Sequence, residues 1–276
     1  MRAWALLTAA VLPLVAAQAN GDINLGISAI EAHFNQSHIV PDFLSTFEPK
    51  GLLDVNFGVY LNIVTGTGNI QPGQKFTKDE VGSAPTLTVH SPTTLNGQYV
   101  LAMLDADVPG AKLPQGTNRH WLVYNVTVGQ DSTISNATGT AISRYFGPGP
   151  AAGSGPHRYV ILVYSQPSGF AAPAEFSQPE QPVAPMDWSA FVTNSHLGDL
   201  IAANYIQVEE GTATASLLST VPVVTSTLAV SSTASGSAPA SSATSPSGNQ
   251  SNGSGSLSIR VPIVMGLVAL PAYFLA

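Results

Sequence analysis

Residues Gly147 to Tyr164, GPGPAAGSGPHRYVILVY, place a glycine-proline loop directly in front of a short, strongly apolar run. Tyr159 to Tyr164 is short and rich in β-branched and aromatic residues, which predicts a buried strand. Glycine permits positive φ and close approach of backbone to a ligand, and proline stiffens a loop that would otherwise be mobile. The loop is therefore shaped, and it delivers His157, Arg158 and Tyr159 to the mouth of a buried strand.

The neighbouring segments predict the rest of its sheet. Leu53, Val55, Phe57, Val59 and Leu61 alternate with Asp54, Asn56, Gly58, Tyr60 and Asn62, the period of a half-buried strand. Thr65 to Gln74 reads as a turn region, Thr86 to His90 as a short strand and Leu95 to Gln98 as a turn. Tyr99 to Leu104, YVLAML, is a second near-continuous apolar run and a central strand, and His120 to Val128 and Tyr159 to Gln166 are two more. Pro173 to Pro185 predicts an ordered arm that is not helical. Asp187 is placed to cap a short helix carrying Trp188, Phe191 and Val192, and Pro41 with Asp42 could start another. Ile201 to Glu209 reads as a mixed, edge-like strand. Many strands, few helices and no βαβ alternation predict a mainly β, mainly antiparallel fold.

The two ends of the 276 residues are unlike this core. Residues 1–19 carry one positive charge, an apolar run and an A-x-A site at Ala17-Gln18-Ala19, the pattern of a secretory signal cleaved near Ala17 or Ala19. Between Glu210 and Arg260 there is no charged residue, and serine and threonine dominate, so 211–256 reads as a disordered, O-glycosylated stalk. A small-residue cluster at Asn252-Gly253-Ser254, a polar spacer and the apolar Val261 to Ala276 predict a glycolipid (GPI) attachment signal over 257–276, with Asn252 or Gly253 as the attachment residue. The folded domain is then 20–210. Sequons begin at Asn35, Asn125, Asn136, Asn249 and Asn252, and Asn125 sits inside a strand-like run. The expected location is the extracellular face of the plasma membrane or the cell wall, with the lipid anchor as the membrane contact. The chain has no cysteine, so its stability must come from a hydrophobic core rather than disulfides. A formal charge of −7 with few Lys and Arg excludes a nucleic-acid partner that needs a basic face.

Three strand ends carry polar groups: Asp105 and Asp107, His120, and His157 with Tyr159. The histidines can donate to phosphate oxygens, the Tyr159 hydroxyl adds a donor, and loop amides add more. Two acids at the end of a central strand are costly to desolvate. Asp105 is expected to orient or charge a histidine, and Asp107 to receive an ammonium group or brace the loop; the alternative is that both acids only tie loops together. Arg119 and Arg158 each adjoin a site histidine and should point to the opposite face. Trp121 and Trp188 are expected in the core, and His33, His38, His90 and His196 in surface or packing roles.

Three runs resemble the phosphatidylethanolamine-binding protein family, also called the Raf kinase inhibitor protein family. They are D-x-D-x-P at Asp105 to Pro109, N-R-H-W-L-V at Asn118 to Val123, and G-x-G-P-x-x-G-x-G-x-H-R-Y at Gly147 to Tyr159. The resemblance covers about His38 to Glu209 and suggests a secreted, glycolipid-anchored, fungal-type member. It implies a β-sandwich with a large central antiparallel sheet, few short helices, and a small pocket for phosphate or a phosphoethanolamine head. Carried over by position, the pocket residues are Asp105, Asp107, His120, Pro150, His157 and Tyr159. Where the family usually has proline, this chain has Ala106 and Ala151, and both changes are expected to loosen the pocket rim.

The sequence contains no G-x-S-x-G elbow, H-E-x-x-H or Walker loop, so a non-catalytic binding module is expected, with no cofactor and no metal. The partner is a phosphate-bearing small molecule or phospholipid head group. A zinc-type site made from Asp105, Asp107, His120 and His157 is the chemical alternative. Ser154 lies close to His157, but the spacing shows nothing that would orient the pair. The alternative function, implied by the resemblance, is inhibition of a protease, a serine carboxypeptidase, through the pocket rim.

Overall fold

The computed structural model describes residues 19–58, 69–214, 216–218 and 220. The signal segment before Ala19, Val59 to Leu61 of the first predicted strand, most of the predicted stalk, the sequons at Asn249 and Asn252, and the predicted anchor signal with Gly253 lie outside the described residues.

In chain order the elements are α1 (Ala19–Gln36), a helical turn α2 (Ile39–Asp42), β1 (Leu52–Asn56), β2 (Gln74–Phe76), β3 (Thr86–His90), β4 (Gln98–Asp105), β5 (Thr117–Val128), β6 (Ile134–Ser135), β7 (Thr140–Ser143), β8 (His157–Gln166), β9 (Ala184–Met186), α3 (Trp188–Asn194) and β10 (Leu200–Val208). Eight strands form one sheet in the order β2-β10-β8-β4-β5-β6, with β7 and β9 also paired to β5; β1 and β3 form a separate ribbon. All pairings are antiparallel except β2 with β10. The fold is mainly β, as expected.

The continuous apolar runs are buried on both faces because each face has its own core. Tyr99, Leu101, Met103, Trp121, Val123, Tyr159, Ile161 and Val163 pack with Leu53, Val55, Leu87 and Val89 of the β1–β3 ribbon. The alternate residues Val100, Ala102, Leu104, Leu122, Tyr124, Val160 and Leu162 pack with Ile30, Phe34, Trp188 and Phe191 of the helices. Burying each side chain of this size contributes about 1.5–3 kcal/mol, which is how a chain without disulfides holds together. Asp187 caps α3, accepting from Ala190 N at 2.9 Å.

Four expectations need correction. Helix α1 is not among the predicted elements, although Ile23, Ile27, Ile30 and Phe34 follow its period; Phe34 stacks on Phe47 with ring centroids 3.9 Å apart. Pro41 and Asp42 end a helical turn rather than start one. Pro173 to Pro185 is an ordered arm, but it contains a 3₁₀ turn at Ala174–Phe176 and runs into β9. The last strand is interior, not an edge: β8 covers one side and β2 the other. Asn204 made it look half-solvated, yet Asn204 is 5% exposed, donates to Leu53 O at 2.8 Å and accepts from Tyr205 N. A buried amide with backbone partners imitates a solvent-facing residue in the sequence.

Candidate functional site

Antiparallel pairing brings the end of β4 and the starts of β5 and β8 to one rim of the sheet. Asp105 lies opposite both Asn118 and Tyr159. The ladder continues into the loops, because Ala106 N donates to Arg158 O (2.8 Å) and Arg158 N to Asp107 O (3.0 Å). Asp107 adopts a left-handed φ of 56°, and its amide donates to Asp105 Oδ1 at 2.8 Å. This local turn sets both acids on the same side as His157.

His120 reaches the rim through a β-bulge. Met103 pairs with Trp121 but the next residue, Leu104, pairs with Arg119, so His120 is the extra residue. A bulge re-aims a side chain. His120 therefore meets the Tyr159 ring edge-on at 5.2 Å while Trp121 still packs in the same core as Tyr159. Simple alternation does not reveal this.

His157 is the hub. Its Nδ1 lies 2.9 Å from Asp105 Oδ2 and 3.1 Å from Oδ1, and its Nε2 lies 2.9 Å from Ser154 Oγ and 3.6 Å from Asp107 Oδ1. Burial pulls its pKa down, but the hydrogen bond and charge of Asp105, with Asp107 behind them, raise it above the ordinary histidine value. His120 goes the other way. Burial lowers its pKa in spite of the carbonyls of Phe146 and Gly147 and the charge of Asp105. Its Nδ1 faces Phe146 O at 3.1 Å. A neutral imidazole has a single N–H, which this carbonyl takes, so the expectation that His120 donates to a phosphate is not supported by its surroundings. Tyr159 is fully buried and its pKa is pushed up, first by burial and then by Asp105; its hydroxyl accepts from Gly149 N at 3.3 Å and hydrogen-bonds Asp105. It is thus a protonated phenol at the floor of the site. Pro150 is buried in the same loop.

Ser154 corrects the sequence reading, because Asp105 supplies the orienting group that the spacing did not show. Ser154 Oγ, His157 and Asp105 line up as a nucleophile, a base and an orienting acid. Ser154 Oγ also donates to Ala151 O at 2.7 Å. With His157 protonated every contact is satisfied by one proton: Nδ1–H to Asp105, Nε2–H to Ser154 Oγ, and Ser154 O–H to Ala151 O. In that state the serine is an acceptor and gives its own proton to Ala151 O.

The two arginines brace from the opposite face, as expected. Arg158, 1% exposed, donates to the carbonyls of Ser37, Ala106, Asp107 and Val108 at 2.7–3.0 Å and approaches Asp42 Oδ2 at 3.4 Å. Asp42 Oδ2 also accepts from Gly110 N at 2.7 Å. Ser37 and Asp42, which no motif marks, thereby clamp the 106–110 loop. Arg119 donates to Ser143 Oγ, Gln181 Oε1 and Pro182 O. Ala106 does not loosen the rim: it is fully buried and its N–H makes a bond that proline lacks. Ala151 is exposed. Trp121 and Trp188 are core residues, and His90 pairs with Asp54 at 2.8 Å across the β1–β3 ribbon. Among the sequons, Asn35 and Asn136 are exposed, whereas Asn125 is half-buried and its side-chain oxygen accepts from Gln166 Nε2 at 2.6 Å. Among the described residues no three His, Asp or Glu side chains converge as metal ligands would.

Residues 62–215, more than half of the chain, match the family described as phosphatidylethanolamine-binding protein. The chain is 34% identical to the 26 kDa secreted antigen of Toxocara canis over 149 residues, which take in 51% of this chain and 53% of the antigen, so the match spans about half the antigen's length. It is 28% identical to an uncharacterised Saccharomyces cerevisiae protein over 205 residues, 67% of this chain and 96% of that protein. The structure of carboxypeptidase Y inhibitor, solved with its cognate proteinase, superposes with a TM-score of 0.53 at 20% identity, over 70% of this chain and 98% of the inhibitor, a likeness of fold. With more than half its length matched, and with a site made where the motifs meet, the chain belongs to the phosphatidylethanolamine-binding protein family.

Proposed function

We propose that this chain binds phosphate-bearing head groups, anionic or zwitterionic like phosphoethanolamine, at Asp105, Asp107, His120, Pro150, His157 and Tyr159, without chemistry on them. The observation that carries the reading is a buried imidazole with one nitrogen on Asp105, whose hydrogen bond and charge raise its pKa against the pull of burial, and with its other nitrogen, whose proton that shift favours, directed at the half-exposed Ser154. A phosphate oxygen is a stronger acceptor than a serine hydroxyl and takes that proton in a charge-assisted bond. Asp107, the more open of the two acids, then stands where an ammonium group would be received. A zwitterion satisfies both signs, and a bare phosphate only one.

Calorimetric titration of the chain with phosphoethanolamine and with inorganic phosphate tests this. His157→Ala and Asp105→Asn should each weaken phosphoethanolamine by about tenfold or more, a loss of about 1.4 kcal/mol. Asp107→Asn should erase the preference for the zwitterion. Failure of the parent chain to bind either probe sinks the proposal.

The cell-surface placement is part of the same proposal. It is supported by the terminal patterns in the sequence and by a relative that is named a secreted antigen. Release of the chain from membranes by a phospholipase tests the lipid anchor. A second reading, inhibition of a serine carboxypeptidase through the pocket rim, is favoured by Phe146. This residue is 42% exposed beside the pocket, with its amide bonded to His120 O. An exposed aromatic on a rigid rim is the kind of anchor a protein partner uses.

A further inference from the structure

The residues that follow β10 do not leave the domain at once. Gly153, in the pocket loop, has a left-handed φ of 79° and turns both of its main-chain groups toward them. Its N–H donates to Glu210 O at 2.8 Å, and its carbonyl accepts from Thr214 N at 2.9 Å and from Thr214 Oγ1 at 3.1 Å. Leu217 then lies against Gly155. A Cβ built there would stand 2.6 Å from Leu217 Cδ1 and 3.4 Å from Val108, so the missing side chain is what lets the leucine in. Leu218 lies against Gly110, 3.5 Å from the place a Cβ would occupy. Residues 210–214 thus lie on the loop carrying Pro150 and His157, and Leu217 and Leu218 on that loop and the one that follows Asp105 and Asp107.

The contact has the character of an occupied binding surface and not of a core. It is read through main-chain hydrogen bonds, as when an extended peptide is added to a backbone edge. Its apolar part is Leu217 and Leu218, the two large apolar residues between Val208 and Val221, and Leu218 remains 49% exposed. A clasp at one glycine with two partly exposed leucines is of the stability that opens locally without unfolding the domain.

We propose that the rim formed by the 106–110 and 151–155 loops is a docking surface for an extended, uncharged polypeptide, and that residues 211–218 are its resident occupant in cis. A polypeptide partner reaches the rim only by displacing this strap. Because the strap is joined directly to β10, its effective concentration at the rim is of millimolar order, so a peptide in trans at micromolar concentration loses to it until it is released. The inference stands independently of the head-group reading, since it concerns the rim and not the charged floor.

The test uses a labelled, N-acetylated peptide of residues 211–220, whose acetyl carbonyl stands for that of Glu210, and three forms of the whole chain. Thr214→Pro with Leu217→Asp removes the amide donor and the apolar contact, and should bind the peptide at least about tenfold more tightly than the parent. Gly110→Cys with Leu218→Cys brings two Cβ positions to 3.5 Å, disulfide distance, in a chain that has no other cysteine, and the strain of a side chain at the left-handed φ of 79° of Gly110 is common to the oxidised and reduced forms. Oxidised, this form should exclude the peptide; reduced, with one of the two strap leucines gone, it should bind the peptide at least as tightly as the parent. The oxidised and reduced forms are one polypeptide, so the comparison survives a folding defect in the opened variant. Equal binding by the oxidised and reduced forms, or no gain in a folded opened variant, overturns the proposal.

Discussion

His157 and His120 share one rim and have opposite proton preferences, and the difference comes from their partners. His157 gains a carboxylate and its pKa is raised; His120 gains carbonyls, which do not offset burial, and its pKa is lowered. The raised His157 value means that its pairing with Asp105 contributes stability in full below the unfolded histidine pKa, and that this contribution disappears as pH rises through the folded pKa. His120 has the reverse sign: its burial as a neutral ring costs stability when pH falls below the unfolded value. Head-group binding should follow His157, so affinity for phosphoethanolamine falls as pH rises through its raised pKa. The ligand's own phosphate titrates as well, and a His157→Gln chain measured in parallel isolates the protein's part. If the two pH profiles run parallel, the imidazolium is not the donor.

At the scale of elements, the site depends on loops that are fixed from behind. Arg158 lies on β8 next to His157, yet it serves the 106–108 turn, the end of α1 and the α2 turn together. Replacing it by Met keeps most of the volume and removes the guanidinium donors from four carbonyls and from Asp42, of which Asp107 O keeps the main-chain N–H of residue 158 and Asp42 that of Gly110. The expected loss is about 3–5 kcal/mol, the range for removing one member of a buried, hydrogen-bonded ion pair. Urea unfolding measures it as a lower midpoint at unchanged slope. A loss under about 1 kcal/mol would show the clasp to be energetically idle. The motif around His157 is visible in the sequence, but the partners Ser37 and Asp42 are not, because they lie 121 and 116 residues away along the chain.

For the whole molecule, the question is which surface meets a partner. The exposed Phe146 adjoins His120, and Thr214, Leu217 and Leu218 of the strap contact the loops of the rim. A partner that binds across both must displace the strap. If the chain inhibits a serine carboxypeptidase, the opened Thr214→Pro, Leu217→Asp form should inhibit at lower concentration than the parent, and Phe146→Ala should weaken both. An undiminished peptidase rate with micromolar opened chain would falsify the inhibitor reading and leave the head-group reading untouched.

What the sequence determined by itself was what short-range chemistry specifies. Apolar runs of strand length required a sheet covered on both faces, Asp187 was placed to cap a helix after it, and the resemblance of the motif runs to a known family singled out Asp105, Asp107, His120, Pro150, His157 and Tyr159 as candidates for one site. Neighbours along a strand face opposite ways, which already removed Arg158 from the pocket. The tertiary structure decided everything that depends on pairing between distant segments. Register put an extra residue at His120 and so turned it toward Tyr159; β2 covered β10 and made an apparent edge strand interior; Asp105 gave the Ser154–His157 pair its orientation. The same holds for residues 211–218. Their composition is that of a spacer, and only the tertiary contacts, the N–H and carbonyl of the left-handed Gly153 and the space left at Gly155 and Gly110, make them part of the rim.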